Sequence, residues 1–89
     1  SADQVEWIVR DSGARHVVTE TAAHTATVTS GTAAHPGQPR VWELDAGALA
    51  DLTALGRGVS DEEVTKRRTA LTPDSVATVC YTSGTTGRP

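Results

Sequence analysis

The sequence predicts an α/β fold, in which helices flank a sheet of mostly parallel strands. Three observations lead to it. A helix pattern near the amino end is followed by a short β-branched run, and a second β-branched run follows a segment rich in glycine and proline. A third β-favouring run, near the carboxyl end, leads directly into a glycine-rich stretch. Helices that alternate with strands in this way are typical of a parallel sheet.

The first helix and the first strand form one unit at the amino end. Ser1 and Gln4 have the spacing of a capping box, and Gly13 stands where a helix is expected to end. The apolar residues that share one face between them are Val5, Ile8 and Val9. The next stretch, "RHVVTE", predicts a short strand that is buried in a sheet. Helix followed by buried strand is the second half of an α/β repeat.

The middle of the chain predicts a helix, a loop, a strand and another helix. Residues 21–40 are rich in alanine and threonine, with glycine and proline crowded into their second half, which indicates a weak helix that gives way to a loop. The stretch "RVWEL" predicts the second strand. Asp45 can cap the following helix, which is expected to end at Gly56. The leucines on one face of this helix are Leu49, Leu52 and Leu55.

The last predicted helix and strand lead to the glycine-rich stretch. Ser60 and Glu63 form a second capping-box pattern, followed by acidic residues and then basic ones, an order that suits the helix dipole. Pro73 breaks the helical pattern, and "SVATVCY" then predicts a strand over residues 75–81. Cys80 lies in this apolar run, so we expect a small buried side chain in a reducing compartment rather than a reactive thiol.

Composition narrows the classes of partner and the location. The formal net charge of -3 gives no reason to expect a nucleic-acid partner. No stretch approaches the roughly 20 apolar residues of a membrane span, and the amino end lacks a signal-peptide pattern, so a cytoplasmic location is expected. With 89 residues, 3% aromatics and a first residue other than methionine, the chain is expected to be a fragment of a longer protein. Open sheet edges would then let the isolated piece self-associate.

The carboxyl-terminal stretch "YTSGTTGRP" is suited to hold phosphate groups. Gly84 and Gly87 let the backbone approach a ligand closely, and Arg88 can add a positive charge. The hydroxyl donors between them and before them are Thr82, Ser83, Thr85 and Thr86. The spacing is neither that of the common P-loop nor that of a dinucleotide-binding glycine motif. On composition alone, a flexible turn after a strand remains an equal alternative.

The same nine residues resemble the phosphate-binding signature of the adenylate-forming superfamily over their whole length. The family pattern is an aromatic residue, Thr-Ser-Gly, Ser or Thr, Thr-Gly, any residue, and Pro-Lys-Gly, of which this chain lacks the final Lys-Gly. The longer stretch "SDEEVTKRRTALTPDSVATVCYTSGTTGRP" is similar to bacterial long-chain fatty acid CoA ligases, as is "SADQVEWIVRDSGARHVVTE" at the amino end. Residues 21–59 resemble them less.

The resemblance implies that residues 1–89 are a fragment of the large N-terminal AMP-binding domain of such an enzyme, ending inside the phosphate-binding loop, residues 81–89. The parent would use ATP and Mg²⁺ to convert a fatty acid to an acyl-adenylate and then transfer it to CoA. The residues that the resemblance assigns to the β- and γ-phosphates are Thr82, Ser83, Gly84, Thr85, Thr86 and Gly87. The alternatives are adenylation of another carboxylate and a non-catalytic nucleotide- or phosphate-binding module.

Catalytic and metal-binding residues are not expected within this chain. In the family, the magnesium-binding glutamate, the adenine-binding segment and the catalytic lysine come later in the sequence, so the isolated piece is expected to be inactive. Ser83 is flanked as "TSG" and does not fit the Gly-x-Ser-x-Gly pattern of a hydrolase nucleophile. Trp7, Trp42 and Tyr81 are expected to pack rather than bind ligands. The side chains weighed for metal or acid-base roles and set aside are His16, His24, His35, Asp61, Glu62 and Glu63.

Overall fold

The structure is a computed structural model, and it describes residues 1–83. The helices are α1 (Ala2–Ser12), α2 (Ala22–Thr32), α3 (Ala48–Gly56) and α4 (Asp61–Thr69), and the strands are β1 (His16–Thr19) and β2 (Arg40–Glu43). The two strands pair in parallel, with α2 crossing between them, so the predicted α/β class and parallel sheet are confirmed. No helix of residues 1–83 is long and apolar enough to cross a membrane.

Helix α1 begins and ends as its sequence predicts. The backbone N–H of Gln4 donates to the Ser1 hydroxyl at 3.3 Å, and the Ser1 nitrogen donates to the Gln4 side-chain oxygen at 3.1 Å, which completes the capping box. At the other end Gly13 adopts a left-handed conformation with φ of 68°, and its N–H bonds the Val9 carbonyl. A side chain at Gly13 would be strained there, which explains the glycine.

The buried side chains lie on both faces of the sheet, because Trp42 pairs with Val18 and so shares its face, opposite to the face that Thr19 turns toward α2. Thr19 at the end of β1 is buried, and its hydroxyl lies 2.7 Å from that of Thr25, which joins the sheet to α2. Helix α2 also packs closely on α1 at Gly31. A Cβ atom there would lie only 2.5 Å from the Ala2 carbonyl oxygen. The buried apolar residues are Val9, Val28, Trp42 and Ala48. Each comes from a different element, so the core depends on all of them.

Strand β1 is less buried than its sequence predicts. Val18 is 60% exposed, and Thr19 is the buried residue of this strand. Side chains alternate between the two faces of a strand, so Val18 lies on the face opposite to the one that Thr19 turns toward α2. Within residues 1–83 the face that carries Val18 is incompletely covered, which is why a β-branched run typical of a buried strand is half exposed here.

Helix α3 starts later than predicted. Asp45 does not cap it but lies in a short 3₁₀ turn, Leu44–Ala46, and Gly47 takes the capping position with φ of 86°. The left-handed turn at Gly47 requires glycine and separates the 3₁₀ turn from the helix. The end at Gly56 is confirmed. The leucines of the predicted face are exposed by 69%, 38% and 56% at Leu49, Leu52 and Leu55, so this helix leaves its apolar face uncovered by the described residues.

Helix α4 forms with half of its predicted capping box. The Ser60 hydroxyl accepts the backbone N–H of Glu63 at 3.1 Å. The Glu63 carboxylate does not return to Ser60, because it pairs with Arg67 one turn later at 3.0 Å. The expected order of acidic and then basic residues is present. No residue of α4 is buried, so capping and charge rather than packing hold this helix.

The predicted strand over residues 75–81 is wrong. Residues 76–80 have no regular secondary structure, and Val76 and Val79 are 78% and 63% exposed. Cys80 is exposed as well, so the prediction of a buried thiol is also wrong. A strand forms only where a neighbouring strand takes up its backbone hydrogen bonds, and the sheet of the described residues consists of β1 and β2. The β-favouring composition therefore has no partner here.

Candidate phosphate-binding site

Two of the six predicted phosphate-binding residues lie within the described structure, and four lie outside it. Thr82 and Ser83 lie within it, and both are exposed. The predicted residues that lie outside the described part of the chain are Gly84, Thr85, Thr86 and Gly87. A hydroxyl can donate one hydrogen bond to a phosphate oxygen. The two described side chains therefore fit a phosphate ligand both in chemistry and in access.

Tyr81 joins the start of this stretch to helix α1. Its hydroxyl donates to the Asp11 carboxylate at 2.6 Å, across 70 residues of sequence. Its ring meets the Trp7 ring edge to face, with centroids 5.7 Å apart and planes at 89°. Trp7 and Asp11 stand one helical turn apart, so they lie on the same face of α1. The predicted packing role of Tyr81 and Trp7 is confirmed.

Asp11 is the residue of this site that the sequence did not single out. An aspartate near the end of a helix is common on protein surfaces, and nothing in the neighbouring residues marks it. The available signal was its spacing from Trp7, which places a carboxylate and an aromatic ring side by side. That spacing identifies a face of α1. It does not identify the partner, because Tyr81 is so distant in the sequence.

The contact with Asp11 raises the pKa of the Tyr81 hydroxyl above its usual 10.0. The hydrogen bond to Asp11 is the main cause, followed by loss of hydration and by the negative charge of Asp11, while a hydrogen bond from Ser12 acts in the opposite direction. A raised pKa in the folded state means that the phenol stabilises the fold fully below pH 10.0. This contribution is lost as the pH rises through the folded-state pKa.

Titration of tyrosinate absorbance tests this contact directly, because Tyr81 is the chain's one tyrosine. We expect a midpoint above 10.0 in the wild-type chain and a lower one, close to 10.0, in Asp11→Asn. Asp3→Asn, which removes a carboxylate from the first turn of the same helix, should leave the midpoint unchanged. Equal midpoints in the wild type and Asp11→Asn would show that the hydrogen bond does not form.

A second cluster of aromatic and charged side chains lies on the sheet. The Arg40 guanidinium sits 4.2 Å from the centroid of the Trp42 ring, and the Trp42 indole N–H donates to Nδ1 of His16 at 3.0 Å. A cavity of about 190 Å³ adjoins Trp42 and Asp51. Trp42 is buried, so it packs, as predicted. Among residues 1–83 no group of three or more His, Cys, Asp or Glu side chains is placed to hold a metal ion.

Comparison of the sequence with known proteins identifies a family. Residues 1–89 match the family model of AMP-binding enzymes. The chain is 39% identical, over 92 aligned positions and its whole length, to the long-chain-fatty-acid–CoA ligase FadD15 of Mycobacterium tuberculosis. The FadD15 of Mycobacterium bovis gives the same identity. An FR901469 synthetase of a Dothideomycetidae species is 39% identical over 74 residues, or 83% of this chain.

The relatives are much longer than this chain. It spans 15% of the length of the two ligases, and a share of the synthetase that rounds to 0%. No solved structure matches the chain. The family match nevertheless covers every residue, including the signature "YTSGTTGRP". The chain therefore belongs to the AMP-binding enzymes of the adenylate-forming superfamily.

Proposed function

We propose that this chain carries the phosphate-binding loop, residues 81–89, of a long-chain fatty acid CoA ligase, in which residues 82–87 contact the phosphates. The observation that supports this most is the 39% identity to the FadD15 ligases, which extends over the whole chain rather than over the signature alone. Thr82 and Ser83 add chemical support, since both offer exposed hydroxyl donors at the start of the loop.

The loop would act on the departing end of ATP. In the proposed reaction the fatty acid carboxylate attacks the α-phosphate, which gives an acyl-adenylate and pyrophosphate, and the thiol of CoA then displaces AMP. The hydroxyls of Thr82 and Ser83 would donate to β- and γ-phosphate oxygens and stabilise the negative charge that grows on the leaving pyrophosphate. Mg²⁺ would offset part of the same charge. The family's glutamate ligand for this ion is expected later in the sequence.

The uncovered apolar surface supports a role inside a larger domain. Parallel sheets normally have both faces buried, yet Val18 is 60% exposed. The leucines of α3 are exposed as well, Leu49 by 69%. Such surfaces are expected to contact further protein or to self-associate. We propose that the parent enzyme covers them, works in the cytoplasm, and takes ATP and a fatty acid as its ligands.

Adenylation of a different carboxylate is the second candidate. It is favoured by the match to the FR901469 synthetase, whose name does not mention a fatty acid or CoA. The loop would do the same work in both cases, because pyrophosphate leaves in each. The two candidates differ in the acid that attacks and in the acceptor that follows. A phosphate-binding module without catalysis is the third reading of the same loop.

The deciding experiment begins with the source gene. Reading past Pro89 should show Lys-Gly, then a glutamate motif and a late lysine. The protein from the complete reading frame is then assayed for ATP–pyrophosphate exchange with long-chain fatty acids and, separately, with amino acids. We expect exchange with fatty acids and none from residues 1–89 alone. Exchange that responds to amino acids but not to fatty acids would support the second candidate.

Loop variants of the complete enzyme connect that activity to this chain. Ser83→Ala removes one donor and should lower the exchange rate by roughly 10²-fold, the usual effect of losing one transition-state donor. Thr69→Val is the control, because the Thr69 hydroxyl bonds the Thr65 carbonyl within α4, a helix with no buried residue. Equal rates in Ser83→Ala and the wild type would count against the proposed role of the loop.

A further inference from the structure

We propose that Asp11 and Trp7 of α1 are positioning residues that act through Tyr81 to hold the start of the phosphate-binding loop. This inference rests on the proposed function of the loop. The juxtaposition that carries it is a 2.6 Å hydrogen bond and an edge-to-face ring contact, both made by Tyr81 with one face of α1. Thr82 and Ser83 follow Tyr81 directly, so whatever fixes Tyr81 also limits where these two donors can lie.

The segment before Tyr81 does not hold the loop by itself. Residues 76–80 are exposed and have no regular structure. The hydrogen bonds within residues 72–75 are local and join Thr72 to Ser75. The contacts that join Tyr81 to the folded body are made with α1, by Trp7 and Asp11 and by the neighbouring Ser12. Both ends of this helix are capped, so the helix itself is well ordered.

The two contacts restrain Tyr81 in complementary ways. The short O–H···O⁻ bond to Asp11 is charge-assisted and directional, so it fixes the position of the ring's hydroxyl end. The perpendicular packing on Trp7 fixes the plane of the ring. Together they leave the residue little freedom to turn. Donors that act in catalysis need a fixed position, because a misplacement of about 1 Å can lower a rate by roughly 10²-fold.

Asp11 acts through Tyr81 rather than on the phosphate itself. A carboxylate repels an anionic ligand, so Asp11 is unsuited to contact it. The Arg10 guanidinium beside it pairs with Glu6 at 3.4 Å, one turn back along α1. The useful property of Asp11 is that it accepts the Tyr81 hydroxyl. Its removal should therefore affect the order of the loop start and the affinity for pyrophosphate, and should affect the stability of the fold much less.

The test uses NMR on the isotope-labelled 89-residue chain, with inorganic pyrophosphate as the probe. In the wild type the backbone amides of Thr82 and Ser83 should be ordered and should shift as pyrophosphate is added, with weak affinity. Asp11→Asn and Tyr81→Phe should each loosen these amides and weaken binding by about tenfold, while the urea midpoint of the chain stays nearly constant. Asp3→Asn is the control on the same helix and should change neither quantity.

Combined variants test whether Asp11 and Tyr81 act through the hydrogen bond between them. If Asp11 acts through Tyr81, then Asp11→Asn together with Tyr81→Phe should be no worse than either change alone, since both break one bond. Asp11→Glu should restore part of the affinity. Trp7→Leu keeps an apolar side chain but removes the ring contact, and it should loosen the same two amides.

The outcomes separate this inference from the proposed function. If the wild-type chain does not respond to pyrophosphate, yet Asp11→Asn loosens Thr82 and Ser83, the positioning contact stands and the phosphate-binding role fails for this chain. If pyrophosphate binds and its affinity and the amide order are the same in Asp11→Asn, the positioning role is overturned. Additive losses in the double variant would also contradict it, because they would mean that the two residues act separately.

Discussion

Trp42→Ala is expected to lower the free energy of unfolding by about 3–5 kcal/mol, the usual cost of removing a large buried aromatic side chain. Trp42 is 6% exposed, and the chain contains neither phenylalanine nor methionine that could fill the space. Small domains are stable by only roughly 5–15 kcal/mol in total. A large part of the population should therefore unfold at moderate urea concentrations, which far-UV circular dichroism measures as a lower midpoint.

Two neighbouring changes make this result interpretable. Val18 pairs with Trp42 in the strand register but is 60% exposed, so Val18→Ala should cost less than about 1 kcal/mol. Trp42→Phe keeps most of the ring volume and loses the hydrogen bond to His16, which lies at the surface where water can replace it. Its cost should fall between the other two. Equal costs for Trp42→Ala and Val18→Ala would show that burial of the indole does not stabilise the fold.

The elements that were predicted correctly are those whose signals are local. Ser1, Gln4 and Gly13 specify the two ends of α1 through bonds that span three or four residues. The β-branched runs of β1 and β2 are likewise short, and they pair with each other because α2 between them is long enough for a parallel connection. Capping suffices for the ends of α1, since those bonds lie in the same stretch of chain, whereas β1 and β2 form because each supplies the neighbour that the other needs.

The wrong predictions depended on partners that lie elsewhere. Residues 75–81 have the composition of a strand, but composition cannot supply the neighbour that a strand needs. Cys80 was expected to be buried for the same reason and is exposed with that segment. Asp45 is a good capping residue by type, yet the left-handed backbone at Gly47 moved the helix start two residues on. The errors at residues 75–81 and at Cys80 replaced a tertiary condition with a local preference, whereas the error at Asp45 overlooked a nearby glycine.

The candidate site divides in the same way. Its donors are predicted from nine consecutive residues, because a phosphate-binding loop is a local motif whose glycines and hydroxyls act together. The bond between Asp11 and Tyr81 crosses 70 residues, and only the folded chain brings its two ends together. The phosphate donors therefore stay a prediction from the sequence, whereas the contact between Asp11 and Tyr81 is visible only in the structure.

Gly31→Ala is expected to lower the free energy of unfolding by about 1–3 kcal/mol, the usual cost of overpacking a close contact. The added Cβ would lie 2.5 Å from the Ala2 carbonyl oxygen and 3.3 Å from its carbonyl carbon. Both atoms belong to the backbone at the first turn of α1, so no side-chain rotation can relieve the clash. Either α1 must move away from α2 or its capped first turn must distort. The urea midpoint and the Ser1–Gln4 capping box, observed by NMR, should both change.

Gly56→Ala separates this clash from the general effect of alanine in a helix. Alanine favours helices over glycine by about 1 kcal/mol, so helix propensity alone would make Gly31→Ala stabilising. Gly56 is also a helical glycine, the last residue of α3, and a Cβ there would meet no atom within 4 Å. Gly56→Ala should therefore be neutral or slightly stabilising. A stabilising effect of both substitutions would mean that α1 and α2 do not approach this closely. Opposite signs would establish that the contact at Ala2 requires glycine at position 31.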